Sequence, residues 1–156
     1  MSERYKTILV ALDASPRAPH VLAAAVDLAR RFEAKLVLFR AVGLPPARDL
    51  PPEAMDQPPE RLPEILEHHA EHDLEALARE VPAEVFGKVS VHIGVAWQAI
   101  CRAAQHEQAE LVVLGSHGYS GLDRIIGTTA SKVVNHADRS VLVVRDAALA
   151  AAGAAS

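Results

Sequence analysis

The chain has 156 residues, with 16 Lys and Arg against 20 Asp and Glu, a formal net charge of -4, and a single cysteine. Half the residues are hydrophobic and 4% are aromatic, so one domain fits the length and two independent cores do not. One cysteine excludes an intramolecular disulfide framework, the mild acidity argues against a nonspecific nucleic-acid binder, and no apolar run reaches the ~20 residues that span a bilayer. The opening residues carry no charged-then-apolar leader. A cytoplasmic protein with neither a nucleic-acid nor a membrane partner is the expectation.

Lys6–Leu12, KTILVAL, is a short aliphatic and β-branched run that predicts a buried first strand. Ser15 is a candidate N-cap and Pro16 fits the first helical position, where no donor is needed. Val21, Leu22, Ala25, Leu28, Ala29 and Phe32 then recur at helical spacing, which predicts a helix over 16–32. Lys35–Val42, KLVLFRAV, predicts the second strand. Strand, helix and strand within about forty residues imply a right-handed crossover and parallel pairing.

Seven of the ten prolines lie between residues 45 and 63. Proline fixes φ and removes a donor, so this stretch cannot join a sheet. Residues 44–59 are expected to form an irregular surface excursion within a single domain, 1–146. A second helix follows, with Leu62, Ile65, Leu66, His69, Leu74, Leu77 and Val81 on one side, ending before Pro82. Lys88–Ile93 alternates and predicts strand three. Trp97, Ile100, Cys101 and Ala104 mark a third helix, with Cys101 and Trp97 as packing residues. Glu110–Leu114 predicts strand four, 129–137 a fourth helix, and Ser140–Val144 strand five. Residues 147–156 are an Ala-rich tail.

Five strands alternating with four helices define an α/β fold, a doubly wound parallel sheet with helices on both faces. Ligands of such sheets bind beyond the carboxyl ends of the strands flanking the order reversal. In a 3-2-1-4-5 order those are strands one and four, whose ends carry Asp13 and Gly115-Ser116-His117-Gly118. Glycines allow backbone amides to approach an anion. Gly127-Thr128-Thr129 opens a helix, where unsatisfied N–H groups favour phosphate. Neither a Walker A loop nor a G-x-G-x-x-G fingerprint is present.

Taken together, KTILVALDAS, LVLFRAV, ELVVLGSHG and IGTTASKVVNHADRSVLVVR resemble the universal stress proteins, over about Arg4 to Arg145. The resemblance implies the same five-stranded sandwich in order 3-2-1-4-5, ATP as ligand in many members, with Mg²⁺ as its companion ion, and homodimers. It implies that Ala11, Leu12 and Asp13 meet adenine and ribose, and that Ala41 walls the base. Gly115, Ser116, His117 and Gly118 then form the first half of a phosphate loop, and Gly127, Thr128 and Thr129 the second. Asp13 suits the ribose because a carboxylate accepts hydrogen bonds strongly. Two departures stand out. Eight residues, Tyr119–Ile126, separate Gly118 from Gly127, one fewer than the pattern G-x2-G-x9-G-Ser/Thr. Arg40 stands where members commonly have His.

Val141, Leu142, Val143 and Val144 form an apolar run on what this order makes an edge strand, so a two-fold pairing of strand five is the expected dimer contact. The function expected is a nucleotide-binding, dimeric stress-response regulator. The alternatives are a nucleotide-free interaction module and a slow ATP hydrolase or phosphotransferase. No P-loop-type lysine and no acidic metal pair is apparent, which disfavours the hydrolase. His68 and His72 share i,i+4 spacing, but the expected role is a solvated face rather than a metal site. His92-Ile93-Gly94 ends strand three and carries no expected chemistry.

Overall fold

A computed structural model describes residues 5–45, 47–116 and 126–145. Five strands, β1 (Thr7–Ala11), β2 (Lys35–Val42), β3 (Phe86–Ile93), β4 (Leu111–Gly115) and β5 (Ser140–Val144), form one sheet. Every pairing is parallel, and the order is β3-β2-β1-β4-β5. The helices are α1 (Ala18–Phe32), α2 (Pro52–Met55), α3 (Leu62–Ala78), α4 (Ala96–His106) and α5 (Thr128–His136).

The period-two alternation of the strands divides the aliphatic residues between two layers. Ile8, Val10, Leu36, Leu38, Leu111 and Val113 pack with Val21, Leu22 and Ala25 of α1 and Leu74 of α3. Leu9, Val37, Phe39, Val112 and Leu114 point the other way, onto Ile100, Ala103 and Ala104 of α4 and Ala130 and Val133 of α5. The strands are covered on both faces, which is why they read as continuous apolar runs rather than as alternating ones. The chain moves to β2 after β1 but to β5 after β4, so the carboxyl ends of β1 and β4 diverge and leave a crevice.

Several boundaries differ from the sequence reading for identifiable reasons. α1 begins at Ala18, because the Asp13 carboxylate accepts the Ser15 N–H at 2.9 Å and the Ser15 hydroxyl accepts the Arg17 N–H at 3.3 Å. Ser15 therefore organises the turn ahead of the helix instead of capping it, and Pro19, not Pro16, occupies the first helical turn. β3 starts two residues early, at Phe86. Its register with β2 shifts between Leu36 and Val37, which pair with Phe86 and Lys88, so Gly87 is the extra residue of a bulge. That irregularity hides the first residues of the strand from an alternation pattern. β1 is one residue shorter at each end than the apolar run, β4 spans 111–115, and α5 starts at Thr128.

The proline-rich stretch stays out of the sheet but is built from short helical turns, Ala47–Asp49, α2 and Pro59–Arg61, with Ala54 buried. Pro52 and Pro59 each stand at a first helical position, where the missing N–H costs nothing. On α3 the buried positions are Leu66, Ala70 and Leu74. His69 is exposed, with Nε2 3.5 Å from the Glu53 carboxylate, which corrects its placement on the apolar side.

Candidate functional site

The crevice between the ends of β1 and β4 is a cleft of about 320 Å³. Its walls include Ala11, Leu12 and Asp13 after β1, Ala41 near the end of β2, Gly115 and Ser116 after β4, and Gly127, Thr128 and Thr129 opening α5. Nine positions that the sequence singled out, up to 118 apart in number (Ala11 to Thr129), therefore line one cavity. His117 and Gly118 lie outside the described residues.

Backbone hydrogen bonds hold the cavity walls in place. The Leu12 N–H donates to the Phe39 carbonyl at 2.8 Å, which carries the β1–β2 ladder one residue past the strand. Ser116 N–H donates to Val144 O at 2.9 Å, and Gly127 N–H donates to Ser116 O. The last contact joins the exit of β4 directly to the start of α5, so the two halves of the predicted phosphate loop are tied together at Ser116 and Gly127. Ser116 is buried, whereas Thr128 and Thr129 are exposed toward the opening.

α5 begins with Gly127 as its N-cap, in extended conformation, and no side chain among the described residues caps it. The amides of its first turn are the orphan donors of a helix N-terminus, with the positive end of the helix dipole behind them. The remaining walls are small and apolar: Ala11, Ala41 and Ala96, closed by Ile100 and Leu114. The cleft thus sets alanine-rich walls beside the N-terminus of α5. Among the described lining residues, Asp13 is the one carboxylate and Arg17 the one cation.

Sequence reasoning missed Ser15, Arg17, Ala18 and Val21 of the α1 entrance, Ala96 and Ile100 of α4, and Ala130 of α5. Proximity to Asp13 was an available signal for Ser15 and Arg17. None existed for Ala96 and Ile100, because the packing of α4 across the sheet chooses which of its residues reach the cleft. Arg40 lies beneath the site, not in its wall. It is 8% exposed, with Nε donating to Leu12 O at 3.1 Å and Nη2 to Asp13 O at 2.9 Å, and with Nη1 3.5 Å from the Asp73 carboxylate.

The other candidates carry less. Trp97 is half-buried between α4 and α5, its ring 4.5 Å from that of His136 and 5.9 Å from Lys132 Nζ, as a packing residue would be. Cys101 is half-buried, and burial pushes its thiol up from the ordinary value, with Asp138 adding to the effect. His68, His69 and His72 border a surface depression with Glu53, Arg61 and Glu64. Among the described residues no group of three His, Cys, Asp or Glu side chains is arranged to hold a metal ion, and no helix is long and apolar enough to cross a membrane.

A doubly wound parallel α/β sheet in the order 3-2-1-4-5, with a cleft where the strand order reverses, defines the class of fold. Within that class, residues 4–145 match the model of the universal stress protein family, and the chain belongs to that family. It is 30% identical over 146 residues to universal stress protein MJ0531 of Methanocaldococcus jannaschii, covering 90% of this chain and 82% of that one. Among solved structures, universal stress protein UspA from Lactobacillus plantarum is 28% identical, with a TM-score of 0.69 over 92% of this chain and all of that one. Two more distant likenesses bear on the fold alone. One is a universal stress protein in complex with cAMP, 19% identical with a TM-score of 0.66 over 92% of this chain and 99% of that one. The other is the Archaeoglobus fulgidus protein in complex with dAMP, 21% identical with a TM-score of 0.52 over 91% and 99%.

Proposed function

We propose that this chain is an adenine-nucleotide-binding member of its family, with ATP as the principal ligand, held in the cleft between β1 and β4. The observation that carries the reading is the convergence of Ala11, Asp13, Ala41, Gly115, Ser116 and Gly127–Thr129 on one cavity, at the N-terminus of α5, which no side chain among the described residues caps. The three alanine positions leave room for a flat base, Asp13 accepts from ribose hydroxyls, and the first turn of α5 donates to phosphate. Mg²⁺ accompanying ATP would be held mainly by the nucleotide itself, because Asp13 is the one carboxylate among the described wall residues. Adenine nucleotide is also the ligand class named for two proteins of the same fold, in complex with cAMP and dAMP.

Binding is favoured over phosphoryl transfer. The one described carboxylate in the wall, Asp13, already holds the Ser15 N–H, and in-line transfer needs a positioned base or a metal-holding acid pair. The proposed role is that of a nucleotide-responsive regulator of a stress response in the cytoplasm. Isothermal titration with ATP, ADP, AMP and GTP tests the reading: saturable one-to-one binding of the adenine nucleotides is expected, and no heat of binding at millimolar ATP refutes it.

The same proposal includes a homodimer. All five residues of β5 are half-buried in the single chain, and β5 is an edge of the sheet. An apolar edge is satisfied when a second copy pairs with it through Val141, Leu142, Val143 and Val144 across a two-fold axis. Light scattering should give twice 16.7 kDa. A 16.7 kDa species at all micromolar concentrations overturns the dimer.

A further inference from the structure

Arg40 interrupts an otherwise apolar strand. Leu36 to Phe39 are fully or nearly buried aliphatic and aromatic residues, and Arg40 follows them with only 8% exposure. A guanidinium is tolerated in such a place when its donors are matched. Here Nε reaches the Leu12 carbonyl, Nη2 the Asp13 carbonyl, and Nη1 the Asp73 carboxylate of α3. The two carbonyls are consecutive, and they stand where β1 has left its ladder. Leu12 makes the last β1–β2 bond, through its N–H, and the chain then turns toward α1. With both carbonyls held from one side, the peptide plane carrying Asp13 has a defined orientation. The Asp13 side chain is in turn held at Oδ1 by the Ser15 N–H.

Resting on the ribose reading of Asp13 made above, we infer that Arg40 is a positioning residue: held on the α1 and α3 side of the sheet, outside the cleft wall, it sets the direction in which Asp13 meets the nucleotide sugar. Arg40 does not border the cleft. It belongs to the α1 and α3 side, as its contact with Asp73 requires. Lysine carries its three donors on a single nitrogen, so it cannot reproduce the planar fork in which Nε, Nη2 and Nη1 each reach a separate acceptor. The sugar preference of the site therefore depends on a residue that the sugar never touches.

The test is the ratio of Kd for 2′,3′-dideoxy-ATP to Kd for ATP, measured by calorimetry on the full chain and on Asp13→Asn, Arg40→Lys and Asp73→Asn, each checked for folding by circular dichroism. The unaltered chain should favour ATP roughly ten- to hundredfold, the range for hydrogen bonds to a charged acceptor. Asp13→Asn and Arg40→Lys should each bring the ratio to within about threefold of unity, with Asp73→Asn between. An Arg40→Lys chain that is less heat-stable yet keeps the full ratio overturns the inference and leaves the nucleotide site standing. A chain that binds neither nucleotide overturns the site itself, and one that binds both equally overturns the sugar-reading role of Asp13. If Arg40→Lys fails to fold, Asp73→Asn decides: an unchanged ratio counts against the inference and a reduced ratio supports it.

Discussion

Ala41→Phe is the most direct perturbation of the proposed site, because it puts a ring into the cleft without removing any of the hydrogen bonds that shape it. Ala41 is half-buried in the wall of a cavity of about 320 Å³. A phenyl ring takes up on the order of 100 Å³, since apolar cavities of about 150 Å³ admit benzene. The ring therefore occupies about a third of the space and stands where the base would lie. A ligand at a hundred times its Kd adds about 2.7 kcal/mol to the unaltered chain. At roughly 2–4 °C per kcal/mol for a chain of this size, ATP should raise Tm by about 5–11 °C. Differential scanning fluorimetry with and without ATP and Mg²⁺ should show that rise in the unaltered chain and less than about 1 °C in Ala41→Phe. The two proteins without ligand should differ by only a few degrees, because the added ring enters open space. An Ala41→Phe chain that keeps the whole rise would refute the placement of the base.

Three further outcomes follow from the packing and the charges. A Cβ on Gly87 would stand 2.6 Å from the Leu36 carbonyl oxygen, so Gly87→Val should lower stability in urea unfolding by about 1–3 kcal/mol; an unchanged midpoint would show that the bulge is free to relax. Glu107 is held below the usual carboxylate range, first by the hydrogen bond from Lys88 Nζ at 2.9 Å and then by His106. Its folded pKa is lower than its unfolded one, so its contribution is complete above the unfolded value of about 4.3 and is lost as pH falls through the folded value. Glu107→Gln should flatten that acid limb by less than about 1 kcal/mol, because Lys88 is half-exposed; an acid limb identical in both proteins would remove the pair from the account. Burial raises the Cys101 thiol, so its reaction with a disulfide reagent at pH 7.5 should be slower than that of a free small thiol and should accelerate on unfolding. A rate equal to the free thiol would contradict that environment.

The elements were legible because their signals are local. Continuous β-branched runs mark strands covered on both faces, and the 3.6-residue spacing of Val21, Leu22, Ala25 and Ala29 marks the buried face of α1. Asp13, Gly115 and Ser116 could be named in advance for a related reason, since a parallel sheet opens its crevice at the carboxyl ends of strands, and Gly127–Thr129 because they open a helix; Ala11, Leu12 and Ala41 were named only through the family resemblance. The errors came where one residue obeys two elements at once. Gly87 belongs to β3 but is displaced by its register with β2. Ser15 has the composition of a helix cap, but its hydroxyl serves the turn fixed by Asp13. His69 falls at an apolar spacing on α3, yet the buried face of that helix is the stripe of Leu66, Ala70 and Leu74, which leaves His69 outside beside Glu53.

Periodicity, turn chemistry and the resemblance of its motifs were enough to determine this protein's strands, helices, fold class and family. Tertiary structure alone decided which helix residues complete the cleft, as Ala96 and Ile100 do, and which charge is buried beneath it. Arg40 is adjacent in the chain to Ala41, which the family resemblance sets beside the base, yet it does not line the cleft. In a strand, adjacent side chains leave on opposite faces, and the face that Arg40 takes carries Asp73 and the two carbonyls that can satisfy a buried guanidinium.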